Sequence, residues 1–278
     1  MVSALYVLIA VGFTLIFGVG GVLNFSHGAL ITTGAFAGYL VANPARLDWG
    51  PIAGLLAGLL VAAIIAAVMY LSVIRYIQDR MITVLIVTLV IGFLLQDFFR
   101  GFITDSAITS PRVVEGSILV LGQDIQYMHM FVFIISWIII LSVLLFVTRT
   151  NLGMAVVATS INYRGAKLAG IRTQKINLYV WILAGAFAGL AGVLLMMLET
   201  GGWRMGIDPL IFSFAIVVLG GLGSIKGTIV GAHLIGFIET MTIMLYDPQL
   251  QGLSSLIVLL LVILLKPKGL YGKKEVEL

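Results

Sequence analysis

Two glycine-rich segments interrupt long apolar runs and carry the polar side chains best suited to contact a solute. They are 18–28, with the sequence GVGGVLNFSHG, and 220–227, with the sequence GGLGSIKG. Broken helices at membrane depth point free N–H and C=O groups at a ligand. The candidate pathway residues in the two segments are Asn24, Ser26, His27, Gly28, Gly220, Gly221, Gly223 and Ser224. Two simple turns between helices account for the same pattern, and both interpretations stay open.

The polar residues of the first segment have a second interpretation as helix caps. Asn24 and Ser26 are strong N-cap residues and precede an apolar run that begins near Gly28. His27 has no carboxylate or second histidine at ligand spacing, so we expect no metal site. Both segments place a glycine pair shortly before a basic residue and another glycine, which hints at an internal repeat.

Glu239 is an ionisable residue well inside an apolar run. Such a residue is a candidate for a functional role in a membrane protein, and we include it in the substrate pathway. An interhelical hydrogen bond is the alternative. The sequence has no GxxxxGK[ST], HExxH or GxSxG motif and no cysteine, so we expect no catalytic residue, no cofactor and no enzyme activity in this chain alone.

The composition places these residues in a lipid bilayer. Hydrophobic residues make up 61% of the chain and charged residues 10%, which is more apolar surface than a water-soluble exterior tolerates. The sequence also has 32 glycines, the small residues that let membrane helices approach closely. We therefore predict small-residue helix contacts at Gly54 with Gly58, Gly185 with Gly189, Ala188 with Gly192, and Gly227 with Gly231.

The apolar runs predict an all-α polytopic membrane protein. It has about eight or nine membrane segments, some short or broken at the glycine-rich breaks, and forms a single domain over 1–278. Six runs are long enough to span a bilayer: Ala4–Leu23, Pro51–Ile74, Ile82–Phe99, Met128–Val147, Ile176–Leu198 and Thr228–Tyr246. Three are shorter: Ala29–Ala42, Pro209–Leu222 and Leu253–Leu265.

Positive charge in the connections predicts the orientation. The connection Thr148–Lys175 holds five basic residues and no acid, and the C-terminal tail is also rich in lysine. Basic connections face the cytoplasm, so we expect a cytoplasmic C-terminus and, by strict alternation, an external N-terminus. Within this connection, Val157–Ile171 is expected to form a short surface helix that contacts another protein. A solvated loop is the alternative.

Several motifs in order resemble a known family. They are 24–28 (NFSHG), 149–154 (RTNLGM), 166–171 (AKLAGI), 219–227 (LGGLGSIKG), 236–239 (GFIE) and 266–272 (KPKGLYG). The chain resembles the permeases of branched-chain amino-acid ABC transporters, and segment 24–28 is similar to that of the H-type subunit. The resemblance covers nearly the whole chain.

The resemblance implies a transport role, a location in the cell membrane and a set of partners. They are a second permease subunit, two ATP-binding subunits, an extracytoplasmic solute-binding protein and membrane lipid; no nucleic acid is expected. The solute would be a branched-chain or other hydrophobic amino acid, moved by alternating access. The implied ATPase-docking residues are Thr159, Asn162, Arg164, Lys167, Gly170 and Ile171. The alternative is a self-sufficient secondary transporter or channel for a small neutral solute such as urea or amides, which Glu239 and the hint of a repeat support.

Overall fold

A computed structural model describes residues 2–103, 106–120, 123–247, 250–266 and 268–272. The all-α prediction is confirmed, because nearly all regular structure in these residues is helical. The helices are α1 (Val2–Gly20), α2 (His27–Ala42), α3 (Pro51–Met69), a π-helical turn (Tyr70–Ile74), α4 (Arg75–Ile77), α5 (Met81–Phe102), α6 (Tyr127–Arg149), α7 (Asn151–Ile161), α8 (Tyr163–Leu168), α9 (Thr173–Leu198), α10 (Ile207–Gly220), α11 (Ile225–Leu245) and α12 (Leu253–Leu265). Strands β1 (Ser117–Val120) and β2 (Gln123–Gln126) pair antiparallel.

Six of the described helical segments are long and apolar enough to cross a membrane. They are Val2–Gly20, Pro51–Ile77, Met81–Gly101, Tyr127–Arg149, Thr173–Leu198 and Ile225–Leu245. These coincide with the six long apolar runs of the sequence. Helices α2, α10 and α12 coincide with the three short runs. At about 1.5 Å per residue, the 14-residue α10 is roughly 21 Å long and falls short of a hydrocarbon core of about 30 Å.

Helix α1 occupies the centre of the bundle. It packs against α6, α9, α10 and α11, and most of its residues are buried inside the chain. On one side of it, α2, α3 and α9 pack closely through glycines. A Cβ atom added to Gly34, Gly58 or Gly189 would overlap the backbone of a neighbouring helix. Close packing at the small-residue pairs Gly54 with Gly58 and Gly185 with Gly189 is therefore confirmed.

The connection after α6 folds as two short helices instead of the one predicted at Val157–Ile171. Helix α7 starts earlier, where the Thr150 hydroxyl accepts a hydrogen bond from Gly153 N at 3.0 Å. The chain breaks at Asn162, whose Oδ1 accepts from Gly165 N at 2.8 Å and starts α8. Asparagine favours an N-cap over a helix interior, which explains the break.

The bundle has two chemically different ends. We call the end that carries β1 and β2 the hairpin end. The basic end carries the connection 150–172, the turn between α10 and α11, and the tail that follows α12. Because β2 leads into α6 and α7 follows it, the two ends lie at opposite termini of a spanning helix.

Candidate functional site

The first glycine-rich segment re-enters the bundle instead of turning at its surface. Helix α1 ends at Gly20, and the chain returns alongside it as a non-helical stretch up to Ser26. Phe25 N donates to Thr88 Oγ1 at 3.1 Å, near the middle of α5. His27, the first residue of α2, lies beside Ile9 near the middle of α1. Helix α2 therefore begins at mid-depth and runs to the hairpin end.

The polar side chains of this segment bond to one another. Ser26 Oγ donates to Asn24 Oδ1 at 2.5 Å, and Ser26 N donates to the same oxygen at 3.1 Å. Neither residue caps α2: the structure shows no side-chain cap on the described first turn of this helix. The capping interpretation is thus wrong, whereas the local packing expected beside it is present, because both Ser26 donors bond to Asn24 Oδ1.

His27 links α2 to α1 through its ring. Its Nε2 atom lies 2.9 Å from Ile9 O, and its ring meets the Phe13 ring edge-on with centroids 5.8 Å apart. Asn24 and His27 are buried, with 1% and 0% of their surface exposed. Within the part of the chain that the structure describes, Asn24 Nδ2 and His27 Nδ1 have no hydrogen-bond partner.

A second half-length helix starts at the same depth. After α9, the chain pairs with the connection before β1 at the hairpin end, where Ile108 N donates to Gly201 O at 2.8 Å. It then enters the bundle, and Gly206 N donates to Thr32 Oγ1 at 3.1 Å. The backbones of Gly206 and Gly28 are in such close contact that a Cβ on either would overlap the other.

Helices α2 and α10 therefore start side by side at mid-depth and run to opposite ends of the bundle. We call this contact the half-helix junction; it comprises Asn24–Gly28, Thr32 and Gly206. Segment 201–206 thus meets the end of segment 18–28 at this junction, whereas 220–227 forms a turn elsewhere; the hinted repeat stays a prediction. Paired half-helices with N-termini at mid-depth are a feature of transporter binding sites.

The second glycine-rich segment is a turn at the basic end. Gly221 and Gly223 have φ of 99° and 80°, values that favour glycine. Ser224 Oγ accepts from Gly227 N at 3.1 Å and caps α11. The tail closes over the turn, with Tyr271 N donating to Gly220 O at 2.9 Å. Segment 220–227 meets segment 18–28 where Gly223 contacts Gly18 at the end of α1, and the Ser224 hydroxyl bonds to Gly227 N there and not at the half-helix junction.

Glu239 lies on α11, outside both glycine-rich segments, and its carboxylate bonds to the start of α12. Its carboxylate accepts from Ser255 Oγ at 2.5 Å, from Ser254 Oγ at 2.8 Å and from Gly252 N at 3.1 Å. The side chain is 2% exposed. A carboxylate at a helix N-terminus is favourable because the helix dipole is positive there. The geometry matches the interhelical hydrogen bond that the sequence left open.

Two cavities lie at opposite ends of α1. The hairpin-end cavity, of about 170 Å³, is lined by Tyr6, Ile9, Glu199, Met205, Asp208 and Gln251 among others. The basic-end cavity, of about 270 Å³, is lined by Gly18–Gly21, Gln78, Asp79, Thr159, Tyr163 and Asn177 among others. At an intermediate depth of α1, the hydroxyls of Thr14 and Thr228 lie 2.6 Å apart and link α1 to α11.

Sequence reasoning missed Tyr6, Thr14 and Asn177. The available signal was the one used for Glu239, a polar group within an apolar run.

The connection 150–172, which contains the expected ATPase-docking residues, presents both polar and apolar side chains at its surface. Thr159 is buried against the bundle, while Asn162, Arg164, Lys167 and Gly170 are exposed and Ile171 is partly exposed. Among the large hydrophobic side chains of this connection, Leu168 is the most exposed, at 90%, and Ile161 is 65% exposed. The sequence reasoning missed Leu168, because an isolated leucine in a helical pattern is normally read as a core residue.

Comparisons with known proteins identify one family over nearly the whole chain. The family described as "Branched-chain amino acid transport system / permease component" matches residues 1–265. The high-affinity branched-chain amino acid transport system permease protein BraD of Pseudomonas aeruginosa is 28% identical over 99% of this chain and 94% of its own length. Its counterpart LivH of Escherichia coli is 26% identical over 98% of this chain and 92% of its own.

A third relative differs in its named solute. The autoinducer 2 import system permease protein LsrC of Yersinia enterocolitica is 32% identical over 41% of this chain and 34% of its own length. No solved structure matches the chain significantly. The family match and the apolar spans make this chain a multi-pass membrane protein with a transport role. It belongs to the family of permease components of branched-chain amino-acid transport systems.

Proposed function

We propose that this permease is the transmembrane subunit of an ATP-binding-cassette importer for branched-chain or other hydrophobic amino acids. ATP hydrolysis on partner subunits would drive alternating access. The family membership supports this, as do the names of full-length relatives from two genera. The cavities at both ends of α1 support a path with two alternating openings.

The observation that carries the proposal is the surface of α7 and α8 at the basic end. Leu168 and Ile161 are apolar and exposed beside the exposed cations Arg164 and Lys167. A protruding apolar side chain within a polar rim is typical of a protein–protein contact. Gly153, Val156 and Ala166 anchor the other face of these helices to the bundle. We assign this surface to the ATP-binding subunits.

The same helices border the basic-end cavity, which supports a mechanical link. Thr159, Ser160 and Tyr163 from α7 and α8 share its wall with Gly18–Gly21 at the end of α1. A movement of the docking surface would thus displace part of this wall directly. In this proposal, closure of the ATP-binding subunits opens or closes the path at the basic end.

The remaining partners follow from this assignment. With the basic end in the cytoplasm, the C-terminus is cytoplasmic and the hairpin end faces the extracytoplasmic solute-binding protein. A second permease subunit of similar size would complete the pore. The alternative of a self-sufficient secondary transporter has less support, because Glu239 is engaged by the start of α12.

Reconstitution tests the proposal. The permease pair, the ATP-binding subunits and the solute-binding protein are placed in proteoliposomes, and leucine uptake is measured with ATP inside or outside. We expect uptake only when the ATP-binding subunits have access to ATP and all subunits are present. Uptake by the permease alone, driven by a proton or sodium gradient, would contradict the proposal.

A further inference from the structure

The start of α2 is the positive end of a helix at mid-depth; His27 N donates to Asn24 O at 3.3 Å, and among the described residues no side chain caps the N–H groups of Gly28 and Ala29. The first N–H groups of a helix have no partner within it, and no described side chain caps this one. The dipole adds a partial positive charge at the same place. The N-terminus of a helix with this property is suited to bind an anionic group such as a carboxylate.

Two buried side-chain atoms beside this N-terminus also lack partners. Asn24 Nδ2 offers two donor hydrogens, and its residue is 1% exposed. His27 Nε2 lies 2.9 Å from Ile9 O, a contact that requires the proton on Nε2. In the neutral ring, His27 Nδ1 is therefore an acceptor without a donor, in a residue that is 0% exposed. Buried polar atoms without partners are costly, so a missing partner is indicated.

A single ligand at this place would have to accept hydrogen bonds from the Asn24 amide and the start of α2, and donate one to His27 Nδ1. An anionic group would accept from the Asn24 amide and from the first N–H groups of α2. A neighbouring cationic group would donate to His27 Nδ1. An α-amino acid carries both groups, a carboxylate and an ammonium, on one carbon.

We propose that the half-helix junction binds the zwitterionic head of the transported amino acid, its carboxylate at Asn24 and the start of α2 and its ammonium at His27. This rests on the proposed function and adds the contact groups. The hairpin-end cavity gives an approach, since Ile9 lines that cavity and its carbonyl oxygen accepts from His27. Binding requires α2 and α10 to separate, because Gly28 and Gly206 are in direct contact.

Photolabelling of the wild-type complex tests the proposal directly. The complete transporter in nanodiscs is irradiated with photo-leucine, a diazirine analogue of leucine, and the labelled peptides are identified by mass spectrometry. We expect label within 9–13 or 27–32, suppressed by excess leucine. Label confined to other segments or to the partner permease would overturn the proposal.

A charge variant tests the polar contacts. Asn24→Asp retains the oxygen that accepts from Ser26 but replaces the donor NH₂ with a carboxylate oxygen. The leucine concentration that half-suppresses labelling should increase by about tenfold or more, the loss expected for a hydrogen bond to a charged group. The matched control is Asn43→Asp at the hairpin end, whose Oδ1 accepts from Ala45 N at 2.8 Å. This control should leave labelling unchanged.

The outcomes separate three cases. If the wild-type transporter takes up no amino acid, the proposed function fails and this inference fails with it. If uptake proceeds and Asn24→Asp leaves the half-suppressing concentration unchanged, the junction holds only a buried water molecule and this inference alone is overturned. If the Asn24→Asp transporter does not assemble, the position of the photo-leucine label in the wild-type chain alone shows whether the inference holds.

Discussion

The Nε2 atom of His27 lies 2.9 Å from the carbonyl oxygen of Ile9, so the first residue of α2 is fastened to the middle of α1. This contact fixes α2 as a half-length helix that starts inside the bundle. Gly206, which precedes α10, meets Gly28 at the same depth. The arrangement gives the permease two short helices with their N-termini in contact at mid-depth.

The His27 contact should stabilise the fold. His27→Leu retains an apolar bulk but removes the hydrogen bond between α1 and α2, and we expect a loss of about 1–2 kcal/mol in the free energy of unfolding. His27→Gln retains a donor and should lose less. Thermal unfolding of the purified permease in detergent measures both variants.

His233→Leu is the matched control, because His233 bonds to Ile229 O within its own helix at 2.8 Å. Its unfolding midpoint should stay close to that of the unmodified chain. An equal loss for the two histidines would show that the link between α1 and α2 is unimportant.

Glu239 should act as a brace for α12. Glu239→Ala leaves the N–H groups and serine hydroxyls at the start of α12 without their acceptor, and we expect a loss of about 1–3 kcal/mol in stability. Glu239→Gln retains one acceptor oxygen and should lose under about 1 kcal/mol.

Transport by Glu239→Gln should stay dependent on ATP and independent of the proton gradient. Uptake in proteoliposomes with and without an imposed pH difference measures this. A pH-gradient dependence gained or lost in this variant would instead support a secondary transporter.

Leu168 should be a main contact of the ATP-binding subunits. Leu168→Glu places a charge where an apolar side chain protrudes, so the amount of ATP-binding subunit that co-purifies should fall at least about tenfold. Leu119→Glu is the control, because Leu119 is 73% exposed on β1 at the hairpin end. Equal co-purification with both variants would remove Leu168 from the docking surface.

The close contact of α9 with α2 and α3 should not tolerate a larger residue. Gly189→Val introduces a side chain that overlaps the backbone of Gly58, and we expect a loss of about 1–3 kcal/mol or more. Gly101→Val, at a helical position with open space around it, is the control and should unfold at the same temperature as the unmodified chain. Unfolding is followed in detergent for both.

The helical architecture could be predicted from the sequence because its signal is local. Runs such as 128–147 are long and solidly apolar, and each became a helix with bounds close to those expected. The close contacts at the glycine pairs could also be predicted, since close helix contact requires a small residue on each surface. The single-domain organisation stays a prediction.

The site was harder to predict because its geometry depends on contacts far apart in the chain. Asn24, Ser26 and His27 were found as a polar group, but only the fold shows that Gly206 meets Gly28, the residue that follows them. Nothing in 199–206 marks it as the partner of 18–28, whereas 220–227 resembles that segment by composition alone. Glu239 was found by its charge, and its function as a brace depends on Ser254 and Ser255 in the next helix.

The orientation of the basic end is the point on which the docking assignment depends. The sequence has no cysteine, so a single introduced cysteine reports its own position. Lys167→Cys on α8 and Glu115→Cys before β1 are both exposed, at opposite ends of the bundle. In intact cells, a membrane-impermeant maleimide should label the cysteine at 115, whereas the cysteine at 167 should react only after permeabilisation. Labelling of 167 in intact cells, with 115 protected, would contradict docking of ATP-binding subunits on α7 and α8.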